Sequence, residues 1–212
     1  RPIIMLEAIA ALHKEFPQTR LYFVGNLRDE VKDDFMSVLR KYGMEDYVTV
    51  TGYTDLETFE EFMMAADICV QMRFPYNGEN SGSLCRLMGK GKCVIVNAIG
   101  SFGELPDDVC VKLPSADKIS RKEEIENLYS AIVGLLSSKN KITNYGEKAR
   151  IYAEAYLDIR KCVQQMREFI DMPWKKPVLT EEKLERIHSY IESGNYTEEQ
   201  ISGLADTLAY AG

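Results

Sequence analysis

Residues 67–96, DICVQMRFPYNGENSGSLCRLMGKGKCVIV, decide the fold class of this chain. Two apolar runs, DICVQM at 67–72 and CVIV at 93–96, have the length and the β-branched content of buried strands. Between them, turn-forming residues lead into a helical pattern that continues to about Lys90. Two strands that are joined through a helix form a parallel pair, so this stretch predicts a parallel sheet.

The same alternation of helix and strand extends to both sides of this stretch. The predicted helices before it cover residues 3–16, 29–42 and 55–66, and the predicted strands are LYFVG at 21–25 and YVTVTG at 47–52. On the other side, VCVKL at 109–113 predicts a fifth strand. Five short apolar runs separated by helices predict an α/β fold, a Rossmann-like doubly wound parallel sheet that is buried on both faces.

From about residue 120 onward the pattern is helical alone. We expect two helices between residues 121 and 171, followed by a stretch that prolines interrupt. A capping box begins at Thr197, which predicts that another helix starts there. The sequence therefore predicts two parts: a Rossmann-like lobe at 1–171 and a C-terminal helical hairpin appended at 172–212.

Composition excludes several classes of protein. The net charge of −7 over 212 residues argues against nucleic acid as a partner, because phosphate backbones attract clustered Lys and Arg. No run approaches the roughly 18 apolar residues of a transmembrane segment. The five cysteines are odd in number and lack CxxC spacing, which indicates a reduced cytoplasmic protein without a disulfide framework or a metal site.

The chain starts at Arg1 inside an apolar periodic run, so we expect it to be part of a longer protein.

Ligands of an open parallel sheet bind beyond the carboxyl ends of its strands. The four loops that leave those ends here are all polar and contain glycine. They include Gly25-Asn26, Gly52-Tyr53-Thr54, Arg73 through Ser83, and Asn97 through Glu104. Such an edge is typical of a nucleotide-binding crevice.

The start of the helix after Gly78 is the strongest candidate within that edge. Asn80 or Ser81 can cap the helix, and small side chains at Gly82 and Ser83 leave backbone N–H groups uncovered for a phosphate. Glu79, just outside the helix, can accept hydrogen bonds from ligand hydroxyl groups, and a phosphate beside hydroxyls indicates a nucleotide sugar. The alternative is that Glu79 is a surface acid that favours the helix dipole and that the small residues form only a turn.

Residues 73–106 also carry a recognisable pattern, R-F-P-x-x-G-E-x-S-G-S-L-x-R-x-x-x-x-G-K, then V-I-V and G-S-F-x-E-L-P. It resembles the donor-binding lobe of glycosyltransferase family 4 (group 1), in particular a bacterial subgroup with an RYP…GE.S…GKPVIV…ELP signature. The likeness covers roughly residues 1–170. It implies one lobe of the GT-B fold, the C-terminal lobe, which binds the nucleotide-sugar donor. An N-terminal lobe with the acceptor site would be its partner.

The resemblance assigns roles to individual residues. Glu79 matches the first of two paired glutamates, which contacts the donor sugar, and it is the catalytic candidate. Arg86 stands where the second glutamate normally holds the ribose, so ribose recognition by a carboxylate is in doubt. The remaining candidates are Gly25 and Asn26 at the first glycine turn, Thr54 near the base, and Asn80, Ser81, Gly82 and Ser83 around the diphosphate.

Three charged residues have open alternatives. Arg86 either reaches a phosphate or faces solvent on its helix. Arg73 either contacts a phosphate or the other lobe, or it pairs with Glu79 or Glu104 to hold the loop. Glu104 either matches the ligand-contacting glutamate of the family or caps a turn beside Pro106.

The function implied is sugar transfer with retention from a UDP-, GDP- or other nucleotide-diphosphate sugar, without an essential metal or cofactor. The family's phosphate-neutralising Lys would lie at or just before Arg1, so we expect the isolated chain to be inactive. The alternatives are a non-catalytic nucleotide-sugar-binding module and a related GT-B epimerase or phosphorylase. The usual setting is polysaccharide assembly in the cytoplasm, with peripheral association at the inner face of the membrane open for the full-length protein.

Overall fold

The computed structural model describes residues 1–172 and 181–194. The chain divides into two compact units, Arg1–Cys162 and Val163–Gly212. The first unit contains all the strands described below, together with the helices that precede residue 157.

The strands of the first unit are β1 (Leu21–Phe23), β2 (Val48–Val50), β3 (Ile68–Gln71), β4 (Cys93–Asn97) and β5 (Val111–Leu113). Its helices are α1 (Pro2–Glu15), α2 (Asp29–Lys41), α3 (Leu56–Ala65), α4 (Gly82–Gly89), α5 (Arg121–Leu136) and α6 (Lys139–Tyr156). Every pair of neighbouring strands is parallel. The predicted α/β class with parallel strands is therefore confirmed.

The strands form two hydrogen-bonded sheets and not the single sheet that the sequence predicted. One sheet has the order β1-β2 and the other has the order β3-β4-β5. The two sheets nevertheless share one apolar core, which contains side chains of α1, α2 and α5 and of strands from both sheets. The two sheets thus pack against a common set of helices even though hydrogen bonding does not join β1 to β3.

Helices cover both faces of the larger sheet. Cys93 and Ile95 of β4 point into the shared core, whereas Val94 and Val96 point into a second core formed with α3, α4 and α6. All five residues of β4 are buried, as expected for the central strand of a parallel sheet that is covered on both sides. This is the arrangement of a doubly wound fold.

The C-terminal part contains three helices in residues 121–171 where the sequence predicted two. α5 and α6 are separated by Ser137 and Ser138, and α7 (Ile159–Asp171) follows α6 after Leu157 and Asp158. Neither break contains glycine or proline, so the residues that usually interrupt a helix are absent from both. No described helix is both long enough and apolar enough to cross a lipid bilayer.

One helix of the predicted C-terminal hairpin is described, α8 (Glu181–Ser193). The second predicted helix, with the capping box at Thr197, lies outside the described residues. The boundary between the two compact units falls at residues 162 and 163, within α7 and before the division predicted at 171 and 172.

All five cysteines are free, and Cys69, Cys93 and Cys110 are buried in the two cores. Burial raises the pKa of these thiols to about 11, about 12 and about 11 respectively, because the apolar surroundings disfavour the thiolate. They are therefore neutral packing groups at physiological pH.

Close contact between α6 and the turn before β4 gives a test of this packing. A Cβ placed on Gly146 would lie 2.1 Å from the carbonyl oxygen of Gly91, a backbone atom that cannot move aside cheaply. We expect Gly146→Ala to lower the free energy of unfolding by about 1–3 kcal/mol. The matched control is Gly134→Ala in α5, where nothing lies within 4 Å of the added Cβ. That change should raise stability by up to about 1 kcal/mol. Urea unfolding measures the change in unfolding free energy of both variants. Equal changes would contradict the close contact between Gly146 and Gly91.

Candidate functional site

The turns after β1 and β2 meet at the carboxyl edge of the smaller sheet. Gly25 and Gly52 form an isolated bridge, and the Gly25 N–H donates to Thr51 Oγ1 at 3.1 Å. Both glycines have positive φ, 126° and 70°, which is a conformation that side chains disfavour. Asn26 is exposed beside this bridge, with Oδ1 3.6 Å from where a Gly52 Cβ would lie, and Thr54 is half-buried.

Arg73 connects the loop after β3 to two other elements. Its backbone N–H donates to Asn97 Oδ1 at 2.8 Å, and its carbonyl accepts from Asn97 Nδ2 at 2.6 Å. Its guanidinium donates to Glu79 Oε1 at 2.6 Å and to Ser81 Oγ at 3.2 Å. Asn97 is the last residue of β4 and Ser81 is the N-cap of α4, so Arg73 fixes the loop against both.

Glu79 is held by both of its carboxylate oxygens. Oε1 accepts from Arg73, and Oε2 accepts from the backbone N–H of Asn77 at 3.0 Å. Hydrogen bonds from its own backbone N–H and from Arg73 lower the pKa of this carboxyl below its ordinary value. The side chain is 37% exposed, so an ionised carboxylate with spare acceptor capacity faces the solvent at this edge.

The N-terminus of α4 is open. Ser81 is buried and caps the helix, with Oγ accepting from the Leu84 N–H at 3.2 Å. Gly82 is exposed, and a Cβ added to it would meet nothing within 4 Å. Within the described residues, no acceptor bonds to the N–H of Gly82 or of Ser83. The first turn therefore presents free backbone donors at the positive end of the helix dipole, an arrangement that suits a phosphate.

The loop after β4 is attached to the same region through Tyr76. A Cβ on Gly100 would lie 2.1 Å from the Tyr76 ring, so the ring packs directly on this glycine, whose φ is 50°. The Ser101 N–H donates to the Tyr76 hydroxyl at 3.3 Å. The Arg73 guanidinium lies 5.8 Å from the centroid of the Phe102 ring. The sequence analysis assigned no role to Tyr76 or Phe102, because only their long-range contacts reveal one.

Two predicted site residues are placed away from the Arg73 cluster. Arg86 is exposed and forms an ion pair with Glu60 of α3 at 3.0 Å, and Lys90 contacts the same carboxylate at 2.8 Å. Hydrogen bonding to Lys90, together with the nearby positive charges, lowers the pKa of Glu60. Glu104 is exposed and has no hydrogen bond or ion pair to the described part of the chain.

Of the open alternatives for Arg73, the structure shows pairing with Glu79.

Arg1 is a further cation at this edge that the sequence analysis did not nominate. Its guanidinium forms two hydrogen bonds with Glu124 of α5, the one from Nε to Oε1 measuring 2.8 Å. It also lies 5.6 Å from the ring centroid of Phe74, which follows Arg73. Because Glu124 is only 2% exposed, Arg1 neutralises a buried carboxylate and positions the start of α1 beside the loop.

Residues 3–138 match the family model described as glycosyl transferases group 1. This match covers more than half of the chain. The chain belongs to the group 1 glycosyl transferase family. No curated protein matches this group 1 chain.

Solved structures show the same fold at low sequence identity. HepE from Anabaena in complex with UDP has a TM-score of 0.69 at 18% identity and matches 80% of this chain and 44% of its own. Sucrose-phosphate synthase from Thermosynechococcus elongatus has a TM-score of 0.62 at 22% identity and matches 78% of this chain and 41% of its own. This group 1 chain therefore spans less than half the length of either neighbour.

A third neighbour is a single domain. The C-terminal domain of LpcC, a group 1 family protein from Francisella tularensis, has a TM-score of 0.63 at 14% identity. The match covers 74% of this chain and 79% of that domain. The fold of this group 1 chain is thus that of one lobe of a GT-B glycosyltransferase.

The Arg73–Glu79 pair can be tested through its effect on titration. Arg73→Gln removes the guanidinium, so we expect the pKa of Glu79 to rise toward its ordinary value. Because the folded-state pKa is lowered, the pair stabilises the loop at neutral pH, and that stabilisation is lost as the pH falls through the folded pKa of Glu79. Carboxyl NMR titration measures the shift, with Arg86→Gln as the matched control. Comparable pKa changes in both variants would argue against a specific pair.

Proposed function

We propose that this chain is the donor-binding lobe of a glycosyltransferase that takes a sugar from a nucleotide diphosphate. The observation that carries the proposal is the pair of uncovered N–H groups at Gly82 and Ser83 beside the ionised carboxylate of Glu79. The diphosphate binds those N–H groups, because a helix N-terminus favours negative charge. Membership of the group 1 family supports this choice over other phosphate-containing ligands.

Glu79 binds the hydroxyl groups of the donor sugar in this proposal. Its two oxygens accept from Arg73, from the Asn77 N–H and from its own backbone N–H, which still leaves acceptor capacity for a sugar hydroxyl. The lowered pKa keeps the carboxylate ionised at neutral pH, so it acts as an acceptor and not as a proton donor. In the transfer itself, an acceptor hydroxyl oxygen bonds to the anomeric carbon, the bond between that carbon and the phosphate oxygen breaks, and the departing diphosphate takes up the hydroxyl proton. The free N–H groups of α4 then stabilise the negative charge of the leaving diphosphate.

In this proposal the nucleoside binds at the glycine turns after β1 and β2. Gly25 and Gly52 keep the backbone free of side chains there, and Asn26 and Thr54 offer polar groups next to them. HepE, which has the same fold, was solved with UDP and with UDP-glucose, so UDP-sugars are the first donors to test. GDP-sugars and other nucleotide sugars remain within the proposal.

The acceptor site belongs to another part of the full-length protein in this proposal. This chain matches only 44% of HepE and 41% of the sucrose-phosphate synthase, and a GT-B enzyme has two lobes. We therefore expect the isolated chain to bind the donor without transferring the sugar. Retention of configuration, independence from metals and cofactors, and a cytoplasmic role in polysaccharide assembly, with or without peripheral membrane contact, are parts of the proposal that rest on the resemblance.

The presence of Arg86 where the family has a second glutamate favours a second candidate function, that of a nucleotide-sugar-binding module without transferase activity. The resemblance puts a ribose-binding glutamate at this position, and here the side chain instead forms an ion pair with Glu60. A lobe that has lost this contact could bind a donor and serve another part of the protein. The second candidate and the first make the same prediction for binding and opposite predictions for transfer.

Donor binding can be measured with a matched pair of glycine variants. A branched side chain at Gly82 would cover the free N–H groups, so Gly82→Val should weaken UDP binding by at least about tenfold, or about 1.4 kcal/mol. Gly89→Val is the control, because it changes the other end of α4 and also has nothing within 4 Å of the new Cβ. Isothermal titration calorimetry with UDP and GDP measures both variants. Equal UDP affinity in wild type and Gly82→Val would overturn the proposed phosphate site.

The sugar-binding role of Glu79 has its own test. Glu79→Gln keeps the shape of the side chain but removes its charge, so it should lower affinity for UDP-glucose and leave affinity for UDP nearly unchanged. In the full-length protein the same variant should lose sugar transfer. If the wild-type full-length protein binds UDP-glucose and transfers to no acceptor in a glycan and lipid panel, the binding-module candidate replaces the first.

A further inference from the structure

The loop between β3 and α4 is held by side chains and not by its own backbone. Within the described part of the chain, no N–H or C=O group of residues 74–80 bonds to another backbone group. The side chains of this segment are exposed except for those of Tyr76 and Glu79, which are half-buried. Side-chain contacts therefore set the conformation of the loop, because a chain without contacts loses conformational entropy when it is fixed.

Tyr76 packs against a well-supported part of the loop after β4. Residues Gly100–Phe102 form one short helical turn there, and the Phe102 side chain is buried in the core. The Tyr76 ring occupies the space in which a side chain on Gly100 would lie, and the Tyr76 hydroxyl accepts from the Ser101 N–H at 3.3 Å. Gly100 thus forms a seat for the ring, and that seat is anchored to the core.

Two of the donors to Glu79 belong to the backbone that follows Tyr76. The Asn77 N–H donates to Oε2 at 3.0 Å, and the N–H of Glu79 itself also bonds to the carboxylate. The third donor, the Arg73 guanidinium, comes from the start of the loop, where backbone bonds to Asn97 hold it. Displacement of Tyr76 would consequently move the two backbone donors and leave Arg73 in place.

We propose that Tyr76 is a positioning residue for Glu79. Its ring on Gly100 and its hydroxyl on the Ser101 N–H hold the two backbone donors at the carboxylate, so Glu79 keeps one orientation at the edge of the sheet. The loops after β3 and β4 then act as one unit. The inference that this orientation serves a donor sugar rests on the proposed function, whereas the inference that Tyr76 sets the orientation does not.

This role separates recognition of the sugar from recognition of the diphosphate. The free N–H groups of Gly82 and Ser83 belong to α4, whose start is fixed by the buried cap Ser81. Loss of the Tyr76 contact should therefore weaken the bonds of Glu79 to sugar hydroxyls and spare the bonds of α4 to phosphate. A residue that only stabilised the whole edge would weaken both.

Carboxyl NMR titration of Glu79 tests the positioning role. Tyr76→Ala removes the ring, and Gly100→Ala drives the ring from its seat, so the pKa of Glu79 should rise in both variants. Tyr76→Phe keeps the ring and should retain most of the wild-type lowering of that pKa. Backbone NMR spectra of the same samples show that each variant is folded.

The matched control is Gly43→Ala in the turn after α2. Gly43 has a φ of 61°, close to the 50° of Gly100, and nothing lies within 4 Å of the added Cβ. The control therefore introduces similar backbone strain without a clash against a ring. It should leave the pKa of Glu79 unchanged.

Isothermal titration calorimetry with UDP and UDP-glucose gives the second measurement. In Tyr76→Ala the affinity for UDP-glucose should fall by about threefold to tenfold, which is the usual effect of one lost hydrogen bond. The affinity for UDP should not change. Tyr76→Phe should restore most of the affinity for UDP-glucose.

Three results would overturn the proposal. The first is an unchanged pKa of Glu79 in both Tyr76→Ala and Gly100→Ala, and the second is an equal rise of that pKa in Gly43→Ala. The third is an equal loss of affinity for UDP and UDP-glucose in Tyr76→Ala. If the wild-type chain binds neither nucleotide, the proposed function fails, and a rise of the Glu79 pKa in the two loop variants alone would still support the role of Tyr76.

Discussion

The candidate site depends on the hydrogen bonds of Arg73, which connect three separate elements. Its backbone bonds to Asn97 hold the end of β3 to the end of β4, and its guanidinium bonds to Glu79 and to the N-cap of α4. A long loop between a strand and a helix has many conformations, and restricting it costs conformational entropy. The Arg73 bonds offset that cost at the place where Glu79 and the start of α4 must keep a fixed separation.

The same interactions explain how an acidic side chain can lie beside the open N-terminus of α4 without bonding to its N–H groups. A free carboxylate next to the first turn of α4 would be attracted to the N–H groups of Gly82 and Ser83. Glu79 instead bonds to Arg73 and to the Asn77 N–H, so both of its oxygens already have donors. The helix donors stay uncovered as a result, and the carboxylate remains available to hydroxyl groups.

Much of the fold could be predicted from local sequence patterns. The helices, the strands and the carboxyl-edge loops follow from periodicity and from turn residues, and the predicted bounds differ from the observed ones by a few residues. One of the two breaks between residues 121 and 171 was missed, because neither Ser137-Ser138 nor Leu157-Asp158 contains a helix-breaking residue. The division into two sheets was missed for a different reason. An apolar run indicates that a strand forms, but it does not indicate which strand lies beside it.

The sequence by itself determined the α/β class, and it predicted the edge at which a ligand would bind, because parallel strands place their carboxyl ends on one side whatever their order. It also determined that the first residues of α4 are small enough to leave backbone donors uncovered. Only the tertiary structure decided that Arg73 pairs with Glu79, that Arg86 pairs with Glu60, and that β1 and β3 do not pair with each other in the described residues. The physical reason is that charges and strand edges accept many partners of similar energy. The choice among those partners is made by the packing of residues that lie far apart in the chain.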